Sequence, residues 1–329
     1  MSAPAAVLES RPQAVERDLV QLRRSLDEAV PGKRLDRNLL IATWNIRAFG
    51  DLTERWQAGP DDSPKRDLHA LACITEIVSR FDVVALQEVR GNIKALRHML
   101  RHLGPHWGLL LTDVTAGRAG NDERMAFVFD TRRVKPSGLA CELVIPPEWH
   151  GKIDTGALAR QFARTPYAAS FLAGDQTFIL VTLHVVYGKQ ATDRVGELRW
   201  IAEWMASWAR READWGHNLI ALGDFNIDRS GDPNYEAFTA TGLQPPGQLD
   251  QVPRTIFDRD GGGAFYDQIA WFRGEGGVPM LSLDYTGNAG GFDFTRARLG
   301  QLEGLTLGEV SWRISDHLPL WAEFATKPR

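Results

Sequence analysis

An α/β sandwich, with two sheets flanked by helices, is the fold class this sequence predicts. Short apolar runs of strand-like composition alternate with segments whose apolar residues recur every three or four positions, and the helical segments are irregularly spaced. The chain has 329 residues, enough for one large layered domain with a substantial buried core. Its 43% hydrophobic and 24% charged residues are ordinary values for a folded protein and exclude bulk disorder. No internal repeat is apparent.

The elements follow in order. Residues 1–38 read as an N-terminal helical extension. Ser10 is a candidate cap, Pro12 suits a first turn and Pro31-Gly32 ends the helix. Val15, Leu19, Leu22 and Leu26 form a narrow apolar stripe, which packs on the main domain or mediates self-association as a dimerising coil. The main domain spans residues 39–325. Leu39 to Thr43 is a strand leading to Asn45, Lys65 to Arg80 a helix, and Val83 to Leu86 a strand leading to Glu88. Gly108 to Val114 and Met125 to Phe129 are strands joined by the loop Thr115 to Arg124. Tyr167 to Ala173 and Thr177 to Val185 make a hairpin around Gly174-Asp175. Trp200, Trp204 and Trp208, with Ile201 and Met205, mark a helix packed on a sheet. Asn218 to Leu222, Gln268 to Phe272 and Leu320 to Phe324 complete the strands, and the glycine clusters Gly261 to Gly263, Gly274 to Gly277 and Gly287 to Gly291 read as loops.

Composition narrows function. A formal net charge of −4 argues against holding nucleic acid by overall charge. Cys73 and Cys141 lack CxxC spacing, which points to a reducing compartment. Charges break every stretch of Met1 to Leu40 that a secretory signal would need, and no apolar run approaches the roughly 20 residues of a membrane span. A cytoplasmic protein without a membrane span is expected.

Several polar clusters stand at the ends of predicted strands. Asn45 and Glu88 each follow an apolar run, and Gly223-Asp224-Phe225-Asn226 follows Leu219 to Leu222, with Gly223 read as a sharp turn. Each alone also fits a strand-end cap or an Asx turn. Ser315-Asp316-His317 precedes the last strand, Asp267 precedes Gln268 to Phe272, and His184 ends the run from Phe178. Carboxylates and an amide oxygen suit a hard divalent cation, and an imidazole oriented by a carboxylate exchanges protons near neutral pH. The other histidines read as structural. Gathered at one place, these groups are what metal-assisted phosphate-ester hydrolysis requires.

The ordered series Thr43 to Arg47, Gln87 to Arg90, Leu183 to Gly188, Gly223 to Asn226, Tyr266 to Ile269 and Ser315 to Pro319 resembles the endonuclease/exonuclease/phosphatase superfamily, in particular its deoxyribonuclease I-like branch. The resemblance covers roughly residues 39–325. It implies a four-layer α/β/β/α sandwich of two mixed, mainly antiparallel sheets, and hydrolysis dependent on Mg²⁺, with Mn²⁺ or Ca²⁺ as alternatives. It implies that Glu88 and Asn45 are metal-site residues with Asp316 close by. Asp224 and Asn226 would orient the phosphate and the water, His317 would pair with Asp267, and His184 would be the second catalytic histidine, oriented by Glu123.

Arg47, Arg90 and Arg164 lie beside these motifs, where they would meet flanking phosphates or form salt bridges within the acidic pocket. The resemblance adds Arg118 as a further contact. This chain departs from the branch where Asn121 stands near the place of a sugar-packing tyrosine, and it lacks the disulfide pair of the secreted enzymes. The resulting expectation is a DNA endonuclease with little sequence preference. The same chemistry on a small phosphoester (phospholipid, inositol phosphate or nucleotide) is the alternative, followed by a non-catalytic binding module.

Overall fold

A strand with one face against helices and the other against a second sheet is apolar on both sides, and β1 (Asn38–Phe49) has that composition. Leu40, Ala42, Trp44 and Ile46 belong to the core beneath the helices, whereas Leu39 and Ile41 belong to the core between the sheets. The computed structural model describes residues 11–35, 37–115, 120–145, 162–210, 218–258, 263–274, 276 and 279–326. The described helices are α1 (Gln13–Ala29), α2 (Leu68–Ser79), α3 (Lys94–Leu103), α4 (Thr192–Ala209), α5 (Pro233–Thr239) and α6 (Leu307–Arg313).

The strands after β1 are β2 (Val83–Arg90), β3 (Trp107–Leu111), β4 (Glu123–Asp130), β5 (Lys135–Glu142), β6 (Tyr167–Ala173), β7 (Gln176–His184), β8 (Leu219–Ile227), β9 (Leu243–Gln244), β10 (Phe265–Phe272), β11 (Asp284–Gly291) and β12 (Leu320–Ala325). They form two six-stranded sheets, ordered β11-β12-β1-β2-β4-β3 and β5-β6-β7-β8-β10-β9. Each sheet has one parallel pair, β1 with β2 and β7 with β8, and its other pairings are antiparallel. Three apolar layers result: α1, α2 and α3 on the first sheet, α4 and α5 on the second, and an aromatic-rich layer between them with Phe127, Phe171, Phe178 and Trp271. That is the four-layer sandwich of two mixed sheets that the motif resemblance implied.

The α1 stripe Val15, Leu19, Leu22 and Leu26 is buried within the chain as part of the first helical layer. Asp18 fastens the helix by accepting from Gly300 N at 2.7 Å and Gln301 N at 2.9 Å, with His69 Nε2 3.1 Å away. The face that a coil would present is therefore covered. Ser10 lies outside the described residues. Among the described residues, no helix is long and apolar enough to cross a membrane.

Three local expectations are corrected. Gly287 to Gly291 are not a loop but part of β11, an edge strand paired with β12. Trp321 explains a glycine there, because a Cβ on Gly290 would lie 2.9 Å from its indole. Gly223 is not a turn either. It lies inside β8 with φ +141°, and a Cβ would stand 2.1 Å from the Leu183 carbonyl oxygen, so glycine permits the close approach of β7. Asp267 sits within β10, directly opposite Asp224, rather than before the strand. Two elements carried weaker signals. The exposed edge strand β5 opens with Lys135-Pro136-Ser137-Gly138, poor strand formers, and α6 is announced only by the Thr306–Glu309 capping box.

Candidate active site

Parallel neighbours end on the same side, and the two parallel pairs face each other across the inter-sheet core. Period-two alternation then carries each inner face from apolar to polar. On β1 the inward series is Leu39, Ile41, Thr43, Asn45; on β7 it is Phe178, Leu180, Thr182, His184; on β8 it is Ile220, Leu222, Asp224. The antiparallel neighbours run in reverse, so β4 and β10 bring Glu123 and Asp267 to the same edge from their N-terminal ends. Just beneath that edge lies a buried polar seam. Gln87 Nε2 donates to Thr182 Oγ1 at 2.9 Å and to Thr43 Oγ1 at 3.1 Å, joining the sheets two residues below Asn45 and His184.

Above the seam the predicted residues converge on Asp224. Asn45 Nδ2 donates to Asp224 Oδ2 at 3.0 Å, and Asp224 Oδ1 accepts from Asn226 N at 2.9 Å. His184 Nε2 stands 3.7 Å and His317 Nε2 3.8 Å from the same Asp224 Oδ2. Each ring has its own carboxylate on the other nitrogen. His317 Nδ1 is 2.6 Å from Asp267 Oδ2, and His184 Nδ1 is 3.0 Å from Glu123 Oε2. Both pairs are split between the sheets, because Glu123 belongs to the first sheet and His184 to the second, while Asp267 belongs to the second and His317 leads into the first. Asn226, at φ +51°, donates through Nδ2 to Val185 O at 2.7 Å.

Electrostatics separate the two pairs. Burial disfavours the His317 imidazolium, but the carboxylates of Asp267, Asp224 and Asp316 outweigh it and push its pKa up to about 10. Burial raises Asp267 to about 6 against the opposing effect of His317. Burial would raise Glu123 too, yet His184, Arg164 and Arg90 hold it down at about 2.

The oxygen donors lie on the first-sheet side. Asn45 Oδ1 and Asp316 Oδ1 are buried with no hydrogen-bond partner, while Asp316 Oδ2 lies 3.3 Å from Arg47 Nη1. Glu88 sits at a bulge with φ +58°, and its Oε2 accepts from Ala48 N at 2.8 Å. Among the described residues, no three His, Cys, Asp or Glu side chains form a ready metal-ligand group. The candidate donor set is therefore two carboxylates and an amide oxygen, which fits a hard cation that keeps part of its water shell.

Three arginines line the open cleft of about 430 Å³ over these groups, all paired with carboxylates. Arg47 pairs with Asp316, Arg90 lies 3.5 Å from Glu88 and 3.4 Å from Glu123, and Arg164 Nε lies 2.6 Å from Glu123. The salt-bridge alternative is thus what the structure contains, with the guanidiniums still at the cleft. Arg118 lies outside the described residues.

Sequence reading missed the groups that brace the site. Ser315 Oγ donates to Asn45 O at 2.7 Å, and Trp44 Nε1 donates to His317 O at 2.8 Å, pinning the Ser315–His317 loop on β1. The buried Arg66 donates to the carbonyls of Arg47 and Ile314, and the buried Arg254 to that of Asp267. Glu197 accepts from Ala163 N and Val186 N, tying the Arg164 segment to the chain after His184. Backbone carbonyls and amides leave no mark in a sequence, so only Ser315 and Trp44, inside their motifs, carried any signal.

Comparison with known proteins bears on the family and the fold. The Endonuclease/Exonuclease/phosphatase family's sequence model matches residues 42–317. A protein named deoxyribonuclease from Thioalkalivibrio sp. (strain K90mix) is 26% identical over 307 residues, covering 87% of this chain and 71% of that one. Among solved structures, an endonuclease/exonuclease/phosphatase family protein from Bacteroides thetaiotaomicron has a TM-score of 0.57 at 15% identity, covering 89% of this chain and 99% of its own. The mannosyl-6-phosphatase of Bacteroides thetaiotaomicron VPI-5482 has a TM-score of 0.54 at 17% identity, covering 87% and 99%. The family match spans most of the chain, the layers are those of the solved relatives, and the chain belongs to the Endonuclease/Exonuclease/phosphatase family, whose members are enzymes that hydrolyse phosphoester bonds.

Proposed function

We propose that this enzyme is a divalent-cation-dependent phosphodiesterase, in the first instance a DNA endonuclease with little sequence preference. The observation that carries the reading is the pair of carboxylate-held imidazoles whose free nitrogens both face Asp224, at 3.7 and 3.8 Å. Phosphodiester hydrolysis needs a proton taken from water and a proton given to the leaving oxygen, on opposite sides of phosphorus. His184 with Glu123 and His317 with Asp267 supply one such group each. Asp224 and Asn226 orient the water and the phosphate between them. Glu88, Asn45 and Asp316 would hold the cation, Mg²⁺ or else Mn²⁺ or Ca²⁺. Once bound, it supplies positive charge to the phosphoryl oxygens, in keeping with the unpartnered Asn45 Oδ1 and Asp316 Oδ1.

The deoxyribonuclease relative favours DNA as substrate. A second reading, hydrolysis of a small phosphoester, is favoured by one feature: Arg47, Arg90 and Arg164 are each held by carboxylates of the cleft rather than free to track a polyanion. The free thiols Cys73 and Cys141 fit a reducing, cytoplasmic setting. Plasmid nicking in Mg²⁺ and in EDTA, beside a panel of small phosphomonoesters and diesters, tests the proposal. Nicking that needs the metal supports it. An intact plasmid across Mg²⁺, Mn²⁺ and Ca²⁺, with rapid turnover of a small ester, replaces it with the second reading.

A further inference from the structure

Two large aromatic rings remain exposed at the cleft, Tyr187 at 57% and Trp312 at 51%. Each is braced by a guanidinium that is itself anchored. Arg47 lies over the Trp312 ring at 3.9 Å from the centroid, and it is fixed by Ser311 Oγ at 2.8 Å and Asp316 at 3.3 Å. Arg194 lies over Tyr187 at 4.4 Å; it is almost fully buried and donates to Tyr187 O, Asn226 O and Asp228. Tyr187 also meets Tyr266 edge-on at 6.4 Å, and Tyr266 lies 6.0 Å from the His317 ring. One ring therefore connects to Asp316 through Arg47, the other to His317 through Tyr266.

Exposed aromatic faces cost solubility and are held rigid here at little further entropic cost, which suits them to a flat apolar partner. A nucleobase is such a partner, and stacking on an aromatic ring stabilises each bound base whatever its identity. In a duplex both faces of each base are already covered, so that contribution is open to unpaired bases. The balance of charge points the same way. Duplex binding draws on many free cations, whereas this chain carries −4 overall and the two bracing arginines are held by Asp316 and Asp228. We infer that Tyr187 and Trp312 are stacking stations for unpaired nucleobases flanking the scissile phosphate, so that single-stranded nucleic acid is the preferred substrate over duplex. This rests on the phosphodiesterase reading above and adds its substrate class.

The test is fluorescence anisotropy of a labelled 12-mer, single-stranded or annealed, with His317→Gln protein in Mg²⁺ so that the probe stays uncut. Cleavage of both probes by the parent protein is measured in parallel. The expected result is at least about tenfold tighter binding of the single strand, weakened about 5- to 30-fold by Tyr187→Ala or Trp312→Ala, with Tyr187→Phe and Trp312→Phe close to the parent. Equal or tighter binding of the duplex overturns the inference, as do alanine variants that bind like the parent or phenylalanine variants that lose as much as alanine. The two proposals separate cleanly. Parent protein that cuts duplex in preference refutes the stacking stations and keeps the phosphodiesterase, whereas ring-dependent single-strand binding without cleavage refutes the phosphodiesterase and keeps the stations.

Discussion

Asp267 and Glu123 each hold an imidazole against the same carboxylate, yet their surroundings drive the two carboxyls in opposite directions, to about 6 and about 2. Asp267 is fully buried in β10, and its Oδ1 has no hydrogen-bond partner. The cation beside it, Arg254, turns Nε to the Asp267 carbonyl and Nη1 to those of Leu249 and Val252. Glu123 is nearly as buried but has Arg164 at 2.6 Å, Arg90 at 3.4 Å and the Asn121 amide at 2.6 Å. Burial penalises both carboxylates; His184 and the two arginines outweigh it at Glu123, whereas His317 does not at Asp267. The lesson is that two pairs of the same chemical design acquire different proton affinities from their neighbours rather than from their motifs.

The largest test of that comparison removes either ring or the carboxylate that both face. His317→Ala and Asp224→Ala are each expected to reduce kcat/KM by at least about 100-fold, the scale of one lost acid–base group, as is His184→Ala. Steady-state rates on plasmid and on a small diester measure it, and near-parental rates for all three on every substrate refute the site. Next, Asp267→Asn is expected to cost about 10- to 100-fold and more than Glu123→Gln, because its contact to His317 is the shorter one, 2.6 Å against 3.0 Å between Glu123 and His184. The reverse order refutes the distinction drawn between them.

A pH series sharpens it further. Glu123 is depressed in the folded protein, so its stabilisation is complete above its ordinary value near 4.5 and is lost as pH falls toward about 2. His317 is raised, so its contribution is complete below its ordinary value near 6.5 and is lost as pH rises through about 10. In EDTA, the Tm advantage of parent over Glu123→Gln should shrink in the acid arm, and that over His317→Ala in the alkaline arm. Flat differences in both arms contradict the assignment. The smallest effect is a baseline remote from both pairs. Asp18→Ala leaves the Gly300 and Gln301 amides unpaired and should cost about 1–3 kcal/mol in denaturant melts with kcat unchanged. A large fall in kcat would show that α1 acts on the site and not only on stability.

Much of this is legible in the sequence. Strands and amphipathic helices with one or two buried faces announce themselves by period, which is why β1, β2, the β6–β7 hairpin, β8 and α4 fell where expected. The residues at their ends were legible because polar groups interrupting an apolar inner face need a reason. Edge strands were harder. β5 and β11 are paired on one side and half exposed, so lysine, proline and glycine are tolerated there and read as loop. Buried arginines were harder still, since Arg66, Arg194 and Arg254 resemble surface residues until the carbonyls they bind are seen.

By itself the sequence determined the layered architecture, the family and the set of polar side chains brought to one edge, because periodicity and order along the chain are local properties. Tertiary structure decided how those side chains pair. His184 takes its carboxylate from the opposite sheet, as does His317, and Gln87 reaches Thr182 across the same gap. It also decided that Gly223 serves a close approach rather than a turn, and that Tyr187 and Trp312 stay exposed on anchored guanidiniums. Contacts between sheets join residues far apart in the chain, and their energies depend on burial and on neighbouring charge, quantities that arise only once the two sheets have packed.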